Sequence, residues 1–186
     1  YQLRNAATAL TAIEALRRRG WKISDEAIVQ GMASVSWPAR FEVLGTDPVF
    51  ILDGGHNKQC AEAVAESLEK YFPEGGLTLI IGVLADKDYN AILDTLLPYA
   101  AKCLCVAPDS DRALPAEELA KEIRSKGKEA EPCPGAIEAV RLAISGSAKD
   151  AAEAAAPSGA APVLAFGSLY LAGDMRLLLK DDGGRV

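Results

Sequence analysis

The run Leu77-Thr78-Leu79-Ile80-Ile81-Gly82-Val83 is apolar at almost every position and ends after the length of one strand. A strand of this kind is buried on both faces, so helices must cover the sheet above and below, and its neighbours must be parallel strands joined by crossovers. The flanking sequence supplies those elements. Upstream, Gln59–Phe72 sets Cys60, Val64, Leu68 and Tyr71 on one helical face. Downstream, the pattern predicts a helix over Ala91–Leu97, a strand over Cys103–Ala107, a helix over Ala116–Lys126, a weak strand near Ala130–Cys133, a helix over Ala136–Ile144, a strand over Pro162–Phe166 and a helix from about Leu169. Phe41–Leu44 and Val49–Leu52 read as two strands joined by Gly45-Thr46-Asp47-Pro48. That connection is too short for a parallel crossover, so this pair is expected to be antiparallel. Ahead of it, Leu10, Ile13 and Leu16 mark a helix within Asn5–Arg19 that stops at Gly20, and Ser24 is a cap candidate for a second helix running toward Gly31. The expectation is an α/β fold: a mostly parallel, Rossmann-like sheet with helices on both faces and one antiparallel edge strand, preceded by a short helical segment. Ser145–Ala161, rich in alanine, glycine, serine and proline, is expected to be mainly a mobile surface loop, and Asp181–Val186 a polar tail.

Charge and cysteine usage narrow the function. The 186 residues carry a formal net charge of −6, and the only basic run, at 17–19, falls at a helix end where cations favour the helix dipole, so wide nucleic-acid contact is not expected. The four cysteines lack paired C-x-x-C spacing and His56 is the sole histidine, so reduced core thiols are expected rather than a zinc cage or disulfides. Neither a basic-apolar leader nor an apolar run near twenty residues occurs, which predicts a cytoplasmic chain without a membrane span. The chain begins at Tyr1 rather than methionine, which reads as a processed protein or a piece of a larger one.

In open α/β sheets ligands bind beyond the carboxyl ends of the strands, where Asp53, Gly82, Pro108 and Ser168 are expected. No G-x-G-x-x-G follows the first long strand, and neither G-x-x-x-x-G-K-[ST] nor G-x-S-x-G occurs. The turn Leu52-Asp53-Gly54-Gly55-His56-Asn57 stands out. Its aspartate could accept from a ribose hydroxyl or hold a cation, its glycines allow a sharp turn, and His56 and Asn57 would face the same crevice. An Asx-turn at Asp53 with Asn57 as helix cap is the competing account. Arg40 suits a phosphate or a surface ion pair, Ser168 a substrate or a helix cap, Lys87 a strand-to-helix loop where charge is often only solvated, and Asn5 an adenine edge or water.

Taken in order and spacing, Tyr1–Ala6, Trp37-Pro38-Ala39-Arg40, Leu52–Asn57, Gly82–Asp88 and Phe166–Gly173 resemble the C-terminal part of folylpolyglutamate synthase/dihydrofolate synthase, in the Mur ligase superfamily. Ala39 stands where that family more often has glycine (W-P-G-R), and Gly55 where it more often has alanine (D-G-A-H-N). The resemblance implies an ATP-dependent ligase that phosphorylates a folate carboxylate and lets the amine of L-glutamate attack the acyl phosphate. It implies that residues 1–36 are the last helices of an ATP-binding domain and its linker, and that 37–186 form the Mur ligase C-terminal domain. The P-loop and the Mg2+ ligands would lie in an N-terminal domain, leaving no metal ligand in this chain and the isolated chain inactive. Position by position it implies Asn5, Arg40 and Asp53 for ATP, His56 as the required histidine beside the incoming glutamate, and Ser168 near that glutamate, with a folate or dihydropteroate as acceptor. Another Mur-type amide ligase, acting on peptidoglycan or cyanophycin, and a non-catalytic Rossmann-like binding module are the alternatives.

Overall fold

The computed structural model describes residues 2–153 and 161–181. It divides into two compact units, Tyr1–Pro38 and Ala39–Val186. In the first, α1 (Gln2–Arg18) is followed by α2 (Asp25–Ser34), whose first turn is capped by the Ser24 hydroxyl accepting the Ala27 N–H. α2 continues past Gly31. Arg17 does more than face the helix dipole: its Nε donates to the Ile23 carbonyl and its Nη2 to Asp25, both at 2.7 Å, so it fixes the turn between the helices. Neither helix buries a side chain, and Leu3, Leu10, Trp21 and Val29 are exposed.

The second unit runs β1 (Glu42–Thr46), β2 (Val49–Asp53), α3 (Lys58–Tyr71), β3 (Leu77–Ile81), α4 (Tyr89–Leu96), a 3-10 turn at Leu97–Tyr99, β4 (Ala100–Cys105), α5 (Ala116–Ser125), β5 (Glu129–Pro132), α6 (Ala136–Glu153), β6 (Val163–Phe166) and α7 (Leu169–Asp181). The six strands form one sheet in the order β1-β2-β6-β3-β4-β5. All neighbours are parallel except β1 and β2, whose ladder is interrupted by a register shift between Val43 and Gly45. The expected architecture is therefore present. The strand order adds what periodicity does not carry: β6, last in the chain, slots between β2 and β3, with Asp53 and Ile81 both level with Phe166.

Alternation along the strands divides the core in two. Ile51, Leu77, Leu79, Ile81, Leu164 and Phe166 pack with α3, α4 and α5, while Phe50, Leu52, Ile80, Leu104 and Ala165 pack with α6 and α7. Cutting one of these leucines or isoleucines to alanine would cost about 2–5 kcal/mol, through lost transfer energy and the cavity left behind. The loop expected at Ser145–Ala161 is shorter than predicted, because α6 continues to Glu153. Its alanines propagate a helix already nucleated on the core, and this outweighs Gly146 and the serines. Residues 154–160, and 182–186 of the expected tail, lie outside the described residues. Among those described, no helix is long and apolar enough to cross a membrane.

All four cysteines are free thiols. Burial pushes Cys103 and Cys105 up to about 12 and Cys133 up to about 11, so at pH 8 almost none of them is thiolate. Cys60, at the start of α3, is only half-buried. Iodoacetamide at pH 8 is expected to label Cys60 in the native protein and the other three only after unfolding, as read by peptide mass spectrometry. Native labelling of Cys105 at the rate of Cys60 would contradict the buried placement.

Candidate functional site

The carboxyl edge of the sheet gathers the loops that follow β2, β3, β4 and β6. They enclose a cleft of about 520 Å³ lined by His56, Leu84, Lys87, Arg112, Ser168, Leu169 and Tyr170, a size that suits a small-molecule ligand. Each loop is fixed locally. Asn57 Oδ1 accepts the Cys60 N–H at 2.9 Å and starts α3, so His56 sits at the last step before a capped helix. Ser168 Oγ accepts the Tyr170 N–H at 3.1 Å at the start of α7. The capping roles weighed for Asn57 and Ser168 are therefore both filled. Gly167 N–H donates to the Gly55 carbonyl at 3.1 Å, which stitches the loop after β6 to the turn that carries His56. The loops after β3 and β4 are joined in the same way, by Ala85 N–H to the Arg112 carbonyl at 2.8 Å and Leu114 N–H to the Val83 carbonyl at 3.0 Å.

The cleft is cationic. Arg112 Nη1 pairs with Asp86 at 3.0 Å, but both side chains are about half exposed, so the pair contributes little and can yield to a ligand. Asp88 caps α4 through the Ala91 N–H. Lys87 has no ion pair among the described residues and lines the same cleft. The loop that reads as merely solvated thus delivers a free ammonium. Arg112 was not apparent from the motifs, although its place in the loop beyond the Cys103–Ala107 strand is the signal that would have found it. A second groove of about 540 Å³ lies between α6 and α7, but its only charged lining groups are Glu138 and Asp174. An anion would be repelled there and attracted at the first.

Two of the expected site residues are brought together in the cleft, His56 and Ser168, although Ser168 is nearly sealed at 2% exposure. Arg40 stands on a separate turn, half-buried, with no hydrogen bond or ion pair among the described residues. The crevice expected to hold Asp53 and His56 together is not formed that way. Asp53 is 1% exposed; its Oδ2 accepts the Phe41 N–H and its Oδ1 the Gly55 N–H, each at 2.8 Å. The buried Gly55 amide would otherwise have no partner, so the carboxylate is drawn inward, and a direct ribose contact would first have to compete with these two bonds. Asn5 lies in the first unit, exposed, donating to Gln2 Oε1 at 3.3 Å. No cluster of three or more His, Cys, Asp or Glu side chains able to hold a metal occurs among the described residues.

Residues 39–160 match the model of the Mur ligase, glutamate ligase domain. The chain belongs to the Mur ligase family. Within the family it is similar to the folylpolyglutamate synthase of Lacticaseibacillus casei, 33% identical over 181 residues that cover 96% of this chain and 38% of that protein. Among solved structures, the Mycobacterium tuberculosis folylpolyglutamate synthase complexed with ADP superposes with a TM-score of 0.85 at 29% identity, over 96% of this chain and 40% of that one. A bifunctional folylpolyglutamate synthase/dihydrofolate synthase solved with Mn, AMPPNP and L-glutamate bound gives 0.72 at 28% identity, over 92% and 39%. The chain thus spans about two fifths of the length of these relatives. The sheet and its helices are those of this family's C-terminal domain.

Proposed function

We propose that this Mur-type domain is the C-terminal part of an ATP-dependent ligase that joins L-glutamate, through its amine, to a folate or dihydropteroate carboxylate, and that the cleft around His56 receives the glutamate. The observation that carries this reading is the cationic cleft itself: Lys87 and Arg112 beside the chain's only imidazole, at the carboxyl edge of the sheet. Free glutamate presents two carboxylates, which the ammonium and guanidinium can hold by charge-assisted hydrogen bonds. Its amine would then lie near His56. Nδ1 of that ring is 3.4 Å from the Gly54 carbonyl, a long contact that holds the imidazole only loosely. A relative solved with L-glutamate and a nucleotide analogue, and one solved with ADP, support the choice of both substrates.

In this reading the γ-phosphoryl group of ATP passes to a carboxylate oxygen of the folate. The glutamate amine attacks that carbon, a C–N bond forms, the C–O bond to phosphate breaks, and the amine gives up a proton toward His56. Arg40 meets the nucleotide phosphates, where a fixed cation stabilises the charge in transfer. Asn5 serves the adenine, and the first unit belongs with the ATP-binding domain, since helices that bury none of their own side chains need another surface to cover Leu3, Leu10 and Val29. The P-loop and Mg2+ ligands fall to that N-terminal domain, which makes the chain alone inactive.

The test is a glutamate-ligation assay on the whole ligase with folate and muropeptide acceptors in parallel. Folate is expected to be extended; turnover with the muropeptide alone would replace this reading by that of a cell-wall ligase. Lys87→Met is expected to raise KM for glutamate about 10–100-fold, the loss of one charged hydrogen bond of about 1.5–3 kcal/mol, while KM for ATP stays within about twofold. An unchanged glutamate KM would remove Lys87 from the site.

A further inference from the structure

Arg40 sits between two non-glycine residues in the left-handed region, Ala39 at φ +56° and Phe41 at φ +50°. Each such residue is disfavoured by contact of its Cβ with the backbone, and the conformation persists only where the surroundings over-determine it. Here they do. The Ala39 carbonyl accepts the Gly54 N–H at 2.9 Å, the Phe41 N–H goes to Asp53 at 2.8 Å, and the Ala39 N–H goes to Glu42 Oε2 at 2.8 Å. Glu42 is in turn gripped from α7: Arg176 Nε lies 3.0 Å from Oε2 and 3.2 Å from Oε1, with both side chains part-buried. The backbone is fastened on both sides of Arg40 while its own guanidinium has no protein partner among the described residues.

We infer that Arg176 and Glu42 are a positioning pair for Arg40: through the Ala39 amide they hold the arginine's turn in its strained form, so that the side chain reaches the nucleotide from a fixed backbone. This rests on the reading of Arg40 as a phosphate-binding residue. Pre-ordering matters because a long side chain on a loose turn would lose freedom on every binding event. Arg176 lies on the second turn of α7 and lines no part of the His56 cleft, so the pair is expected to act on the nucleotide and not on glutamate.

The experiment compares Arg176→Met, Glu42→Gln, Arg176→Lys, Arg40→Ala and the double variant Arg40→Ala/Arg176→Met in the whole ligase, with KM for ATP, KM for glutamate, kcat and hydrogen exchange at the Ala39 and Phe41 amides. Arg176→Met and Glu42→Gln are expected to raise KM for ATP about 5–20-fold, to leave KM for glutamate within twofold, and to speed exchange at Ala39; Arg176→Lys should recover part of the loss. On the Arg40→Ala background, Arg176→Met should add less than about twofold, because the two act as one unit. Additive effects, or an Arg176→Met enzyme with unchanged KM for ATP beside an impaired Arg40→Ala enzyme, would overturn the pair's role alone. An Arg40→Ala enzyme with unchanged KM for ATP would overturn the nucleotide reading and this role with it, whatever exchange at Ala39 shows.

Discussion

Replacing His56 by alanine in the whole ligase is expected to lower the rate of amide formation about 10²–10⁴-fold, the range a positioned acid–base group contributes, with KM for ATP little changed. The geometry makes the effect separable from folding. His56 follows a turn already fixed by the Asp53 carboxylate and by the Gly167 N–H, and precedes a helix capped by Asn57. Among the described residues the imidazole makes one long polar contact, to Gly54. Truncation should therefore leave the thermal midpoint close to that of the parent while kcat falls. A variant with more than half the parent kcat would show that the ring serves neither the amine nor its orientation.

A loss of stability as large as that of a core truncation is expected from Gly167→Ala, which adds a single methyl group. Gly167 has φ +122°, a conformation open essentially to glycine alone, and an added Cβ would overlap the Gly82 carbonyl oxygen and lie 3.2 Å from Val83 Cγ1. The first obstacle is backbone within the sheet's carboxyl edge, where Gly82 N–H is already bonded to the Phe166 carbonyl, so neither side can move aside cheaply. Backbone strain of about 1–3 kcal/mol and overpacking of about 1–3 kcal/mol together predict a loss of roughly 2–6 kcal/mol, read as the shift of the urea midpoint. A midpoint within about 0.2 M of the parent, given slopes of about 1–3 kcal/mol per molar, would mean the loop does not take this path.

The layered fold could be read from the chain because its signals are local. The doubly buried run at 77–83, the helical faces between strands, and the short connection after Leu44 each state their own environment. The site was legible only in part, for a physical reason. His56 and Ser168 stand at strand ends, which the topology rule finds, but whether they meet depends on β6 inserting beside β2, a non-local choice. Asp53 shows the opposite failure: a carboxylate at a strand end looks available until the amides it must satisfy, at Phe41 and Gly55, are located in space. Arg176 and Glu42 are 134 positions apart and carry no joint signal in sequence.

The alanine at 39 and the glycine at 55 each have a local physical account. Ala39 occupies a left-handed position where a glycine would be unstrained, and its fastening at both amide and carbonyl compensates. At Gly55 a Cβ would meet the Phe166 ring at 2.6 Å and Cys60 Cβ at 2.7 Å. The aromatic ring at 166 thus takes up the volume an alanine methyl would need.

The ladder fault near Gly45 and the proline that closes β5 lie at opposite rims of the sheet. A rim with regular, unpaired amides is a template on which another chain can add a strand. Here the kink on one side and the missing N–H on the other spoil that template. Another copy of this protein therefore meets a poorer template at either border than a regular, fully donating edge would offer.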